Sequence, residues 1–206
     1  MLPKLLAHGG VMLWLIMLAS AVAIAVVIER LLHYHRAQIN STEFLIGVKN
    51  VLKRDNVVEA LSICDATPGP VARLVKAAIL ARDRGREGVR EALEEAGLME
   101  VPRLEQKLNL LATIAQISPL MGLLGTVMGF IRIYMVMEEQ GQYAQGGLLS
   151  GGIWQALICT AAGLAVSIIA YAAYNYLVSR VNSIVLDMEK TSTEVLNLVT
   201  DPNARH

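Results

Sequence analysis

Long apolar runs alternate with one mixed polar stretch along this chain. No Asp, Glu, Lys or Arg occurs from Leu5 to Ile28, from Leu108 to Ile131, or from Gln140 to Ser179. A membrane-spanning helix needs about 20 mainly apolar residues, so all three windows are long enough. The first, centred on Val11–Ile28, predicts a helix over roughly residues 10 to 33. A cleaved signal peptide is the rival reading and fails on three counts. Only Lys4 precedes the run, the run is too long, and it ends in IERLLHYHR rather than at a small-residue cleavage site. The second window carries Pro119 in mid-span, and QGQYAQGGLLSGG before the third reads as a loop. The apolar part of the third, 153–179, amounts to about 40 Å of helix, longer than a hydrocarbon core of about 30 Å, so it tilts or projects.

Between the first two windows the pattern changes to short amphipathic helices. Phe44, Leu45, Val48, Val51, Leu52, Val57, Val58 and Leu61 keep helical spacing through Thr42–Cys64, and Thr67-Pro68-Gly69-Pro70 breaks it. Val71–Ala81 continues with Leu74, Val75, Ala78 and Ile79, and Arg86–Ala96 forms a further segment closed by Gly97. Beyond Arg180, the residues Val181, Ile184, Val185, Met188, Val195, Leu198 and Val199 keep the helical period, so the third span runs on into a helical tail. The fold class expected is an all-α integral membrane protein with three transmembrane helices and long helical extensions.

Composition agrees and adds orientation. Of 206 residues 54% are hydrophobic and only 17% charged, against about 25% in soluble domains; the mean hydropathy is +0.48. Lys+Arg and Asp+Glu balance at 18 each, which argues against nucleic acid as a partner. Arg36–Lys107 holds 12 Lys/Arg interspersed with 11 Asp/Glu, a solvated helical face rather than a lipid-binding patch. The link after the second window has no basic residue beyond Arg132 and carries Glu138 and Glu139. The positive-inside rule then puts the long segment and the C-terminus in the cytoplasm and the N-terminus outside. The expected organisation is 1–35 N-terminal segment and first span, 36–103 cytoplasmic helices, 104–137 second span, 138–150 periplasmic link, and 151–206 third span with its cytoplasmic tail.

Chemistry inside the spans is sparse. The second holds Thr113, Gln116, Ser118, Pro119 and Thr126; the third holds Gln155, Thr160, Ser167, Tyr171, Tyr174 and Asn175. Thr160, Gly163, Ser167, Tyr171 and Tyr174 fall on one stripe, whereas Gln155 lies about 140° from Thr160. Gly122, Gly125 and Gly129, the last two a small-xxx-small pair, and Gly163 on the third span suit close helix packing, and spacing alone favours plain packing over a pore. Pro119 removes one backbone hydrogen bond and frees a carbonyl towards a pore or a nearby hydroxyl. Arg132 either snorkels to Glu138 or Glu139 or repels cations at a pore mouth. No carboxylate lies well inside a span, so a chain that moves protons must take its acid from a partner. Cys64 and Cys159, one in a polar segment and one in an apolar span, read as small buried side chains rather than a disulfide. His8, His33, His35 and His206 are too scattered for a metal site, and no P-loop, HExxH or GxSxG motif is present. Neither a cofactor nor a metal is expected, and the chain is not expected to be an enzyme.

SPLMGLLGTVMGFI (118–131) followed by GIWQALICTAAGLAVSIIAYAAYNYL (152–177) resembles the paired signature of the ExbB/TolQ/MotA proton-channel family; three spans place the likeness on the ExbB/TolQ branch. The resemblance implies a homo-oligomer, five copies around a pore, acting with a single-span ExbD/TolR-like partner whose membrane Asp takes up and releases protons. It implies a bacterial inner-membrane motor subunit that uses the proton motive force to energise an envelope or outer-membrane process such as transport, with an energy-transducing envelope protein as a further partner. The two pore threonines of the family map onto Thr126 and Thr160; Gln155, at the position of the branch's Glu, and Ser167, on the Thr160 stripe, complete the expected pathway. One departure stands out: the branch usually carries Glu where this chain has Gln155, and the usual proline near 168–170 is replaced by SIIAYA. Gln is nearly isosteric with Glu but does not ionise. A natural variant, an engineered change and a non-conducting scaffold all fit that substitution.

Overall fold

The computed structural model describes residues 10–37, 40–140 and 146–200. His8 and the rest of the N-terminal nine residues, part of the 138–150 link, and His206 lie outside the described residues. Among the described residues seven α-helices follow in order: α1 (Gly10–Ala37), α2 (Ser41–Leu52), α3 (Val57–Ala66), α4 (Pro70–Leu80), α5 (Gly85–Glu105), α6 (Leu108–Gln140) and α7 (Gly146–Thr200), with one 3₁₀ turn at Arg82–Arg84. No strand occurs among the described residues. Among the described residues three helical stretches are long and apolar enough to cross a membrane: those containing α1, α6 and α7. The protein is an all-α membrane protein. It divides into two units, Met1–Glu29 with Lys107–Leu177 and Arg30–Gln106 with Val178–His206.

The first unit is packed on small residues. Its buried positions are Leu13, Ile16, Ala23 and Val26 on α1, Leu108, Leu111, Ala115, Ser118 and Ile133 on α6, and Ala156, Cys159, Ala170 and Leu177 on α7, together with Gly122, Gly125, Gly129 and Gly163. Many large apolar side chains point outward instead, among them Trp14, Leu120, Phe130 and Ile168. That inversion suits an apolar solvent, where van der Waals contact between closely spaced backbones holds helices together. The 146–152 stretch is helical, not the loop its glycines suggest. Gly152 is there to let α7 approach α6, because a Cβ on it would lie 2.5 Å from Ile133 Cγ1.

The second unit is built like a soluble domain, and two expectations need correcting. Thr42–Cys64 is two helices, because Asp55 adopts a left-handed φ of 55° and Asn56 caps a new one. Its side chain accepts from the Glu59 N–H at 3.3 Å while its amide donates to Glu59 Oε2 at 2.8 Å, a reciprocal cap like the capping box. Asn40 and Glu43 do the same for α2. The second correction concerns Gly97, which does not close a helix. α5 runs through it to Glu105, since interior glycine costs only about 1 kcal/mol and the stop comes from Lys107 at φ 67°. Leu45, Val48, Ala60, Val71, Leu74, Val75, Ile79, Val89 and Leu93 form the core with Val181, Ile184, Met188, Val195 and Val199 of the α7 tail. Glu100 is buried and bound by Arg73 and Arg103, each at 2.7 Å, while the Tyr34 hydroxyl donates to the Leu104 carbonyl at 2.7 Å.

Candidate functional site

α6 and α7 run antiparallel along a seam of glycines and hydroxyls. A Cβ on Gly122 would meet the Cys159 carbonyl oxygen at 2.9 Å, one on Gly129 the Ala156 Cβ at 2.9 Å, and one on Gly163 the Ser118 carbonyl oxygen at 2.5 Å. Gly125 gives the same room to Cys159, with Met12 of α1 also within 3.3 Å of its Cβ position. The four glycines that the spacing singles out are therefore the contact surface itself.

Into this narrow seam project Thr126 and Thr160. Their hydroxyls hydrogen-bond each other, and both have carbonyls to donate to. Thr126 Oγ1 reaches the Gly122 oxygen at 3.2 Å and the Ala156 oxygen at 3.3 Å, and Thr160 Oγ1 reaches the Gly122 oxygen at 3.3 Å. A hydroxyl has one proton to donate and two lone pairs to accept with. The pair thus has two hydrogen-bond polarities available: either threonine donates to the other while the acceptor donates to a carbonyl. Passing a proton requires a chain able to reverse in this way. Both threonines are half-buried, where the low dielectric strengthens such bonds.

Two turns along α7, a second hydroxyl answers the proline. Pro119 has no N–H, so the carbonyl four residues earlier, that of Ala115, lacks its helical donor. Ser167 Oγ donates to that oxygen at 2.6 Å. Ser118 donates back along its own helix to the Ile114 oxygen at 2.6 Å. Of the stripe read from the sequence, Thr160, Gly163 and Ser167 meet α6; Tyr171 is exposed and Tyr174 half-buried, their rings 6.4 Å apart. Thr113 and Gln116 are exposed, so the structure separates them from the seam.

At the other side of the threonines lies a contact the sequence did not suggest. Arg132 Nη1 donates to Gln155 Oε1 at 3.4 Å, so Arg132 turns to α7 rather than to the following glutamates. The Gln155 Nε2 occupies the space that a Cβ on Gly10 would fill. The carbonyl acceptors at Gly122 and Ala156 escape sequence reading, whereas the carbonyl freed by Pro119 was expected and is that of Ala115. Among the described residues no group of His, Cys, Asp or Glu is arranged to hold a metal ion.

Comparison with known proteins agrees with this architecture. Residues 66–190 match the sequence model of the MotA/TolQ/ExbB proton channel family. The chain is 28% identical over 181 residues to an ExbB homolog from Methanothermobacter thermautotrophicus, covering 87% of this chain and 63% of that protein. It is 33% identical over 183 residues to an ExbB-like protein from Synechocystis sp., covering 86% and 72% of the two chains. It is 41% identical over 101 residues to the Tol-Pal system protein TolQ of Haemophilus influenzae, covering 49% and 44%. With its three apolar helices and a matched region that includes the whole α6–α7 seam, the chain belongs to the MotA/TolQ/ExbB proton channel family, on the ExbB/TolQ side.

Proposed function

We propose that the chain is the channel-forming subunit of a proton-motive-force-driven motor in the cytoplasmic membrane. It assembles as a homo-oligomer, a pentamer, around a single-span ExbD/TolR-like partner that carries a membrane Asp. Its spans lie within 1–35, 104–137 and the first part of 151–206; 36–103 and the tail are cytoplasmic, and 138–150 with the N-terminus faces outward. The work done is on an envelope process such as transport, handed on through an energy-transducing envelope protein. The observation that carries this reading is the reversible hydroxyl pair of Thr126 and Thr160 in a seam without any carboxylate: the hydroxyls can donate to a carboxylate or relay with water, and the acid that takes up and releases the proton comes from the partner. Ser167 supports the same path by holding α7 against the proline-interrupted α6, and the glycines keep the threonines in reach.

The test is proton flux in liposomes containing the chain and its single-span partner. Flux in the native pair that falls at least tenfold in Thr160→Ala supports the channel; equal flux in both rejects the threonine pathway. Gln155 supports a second reading, a non-conducting oligomeric scaffold, which predicts partner binding with no flux above that of empty liposomes.

A further inference from the structure

The polar groups of the α6–α7 seam are layered. Arg132 follows Thr126 by six residues and Gln155 precedes Thr160 by five, so the Arg132–Gln155 contact sits about 8 Å along the helices from the hydroxyl pair. Arg132 is the one charged side chain between Lys107 and Glu138 in the sequence. Its hydrogen bond to Gln155 is to a neutral carboxamide, and among the described residues it forms no salt bridge. Gln155 is held from the other side as well: its amide end fills the space beside Gly10 at the start of α1. The carboxamide therefore contacts the guanidinium through one long hydrogen bond without neutralising it.

We infer that Arg132, held by Gln155, is an electrostatic brake on the threonine pathway, and that position 155 controls conduction through the charge on Arg132 rather than by carrying a proton. The inference rests on the channel reading given above. A full positive charge about 8 Å from the hydroxyl layer opposes the arrival of a second positive charge there. With an effective dielectric near 20 the repulsion slows entry by at least about tenfold. The rule applies to any cation, protons included, and it weakens where ions can screen the exposed guanidinium. A carboxylate at position 155 would pair with Arg132 and cancel the field, which makes Gln155 the residue that keeps the brake on.

The experiment compares proton flux in liposomes holding the full chain and its single-span partner, for the native protein, Arg132→Gln, Arg132→Lys and Gln155→Glu. Removal of the charge in Arg132→Gln and its neutralisation in Gln155→Glu both raise flux about tenfold, whereas Arg132→Lys keeps the native rate. Raising the salt from 10 mM to 500 mM increases native flux and leaves Arg132→Gln unchanged, a response that a purely structural role for Arg132 would not produce. Flux that rises in Gln155→Glu but not in Arg132→Gln overturns the inference and makes position 155 a proton carrier. Equal flux in all four variants also overturns it, while leaving the channel reading intact. Absence of flux from every variant with the partner bound rejects the channel reading itself. Should Arg132→Gln fail to assemble, Gln155→Glu and the salt response decide alone: unchanged flux in both refutes the brake.

Discussion

A single methyl group at Gly163 tests whether the α6–α7 seam is held at the distance described. The Cβ of Gly163→Ala would stand 2.5 Å from the Ser118 carbonyl oxygen, 3.0 Å from Gly122 Cα and 3.1 Å from Gly122 N, where ordinary contact begins at 3.4 Å. All three obstacles are backbone atoms in the middle of a helix, so no side chain can rotate away. The helices must part by about 0.9 Å at this level. Overpacking of this kind costs about 1–3 kcal/mol, with the upper end expected when backbone has to move. Alanine returns up to about 1 kcal/mol through its helix propensity. Parting the helices also stretches the Thr126–Thr160 contact, an interhelical bond worth about 0.6 kcal/mol in membrane proteins. The net expectation is a loss of about 2 kcal/mol. Gly151→Ala is the control, on the same helix but with nothing within 4 Å of its Cβ; there alanine stabilises by roughly 0.5–1 kcal/mol. The assay is equilibrium unfolding of both variants in mixed detergent micelles, followed by helical circular dichroism. If Gly163→Ala unfolds within about 0.5 kcal/mol of Gly151→Ala, the close packing of the seam is wrong.

Two further expectations use other parts of the molecule. Ser167→Ala leaves the Ala115 carbonyl without a donor and costs about 1 kcal/mol, but the same change made on top of Pro119→Ala costs little, since the restored N–H bonds that carbonyl. Additive losses in this double-mutant cycle would exclude the pairing of Ser167 with the proline gap. Burial pushes the Cys64 thiol up from 9 to about 11, and the neighbouring Asp65 carboxylate adds to the shift. Because the folded state binds that proton more tightly than the unfolded one, its contribution to stability is complete below pH 9 and is lost as pH rises through 11. Melting curves between pH 8 and 11 should therefore fall less steeply in Cys64→Ala than in the native chain; identical slopes would contradict the assignment.

Span number and helical class were legible in the sequence, because a bilayer demands uninterrupted apolar runs and punishes charge within them. Windows free of Asp, Glu, Lys and Arg mark α1, α6 and α7 without reference to any neighbour. The candidate threonines, the glycines and the proline were legible too, since polar and small residues in such runs are few. Helix ends were less so. The reciprocal caps at Asn40 and Asn56 are local chemistry, yet the amphipathic period of Thr42–Cys64 passes straight over the break at Asp55.

Tertiary structure decided what each of these residues touches. The Gly-rich approach to α7 signals a loop when read locally, and packing against Ile133 makes it helix instead. Residues 115 and 167, 122 and 160, and 132 and 155 lie 23 to 52 positions apart, and only the antiparallel register of α6 and α7 brings them together. Hydropathy and helical period describe one helix at a time. A hydroxyl bonded to the carbonyl freed by a proline, or a guanidinium held by a neutral amide, is a property of two helices and their register, and that register is set by where glycine lets the backbones meet.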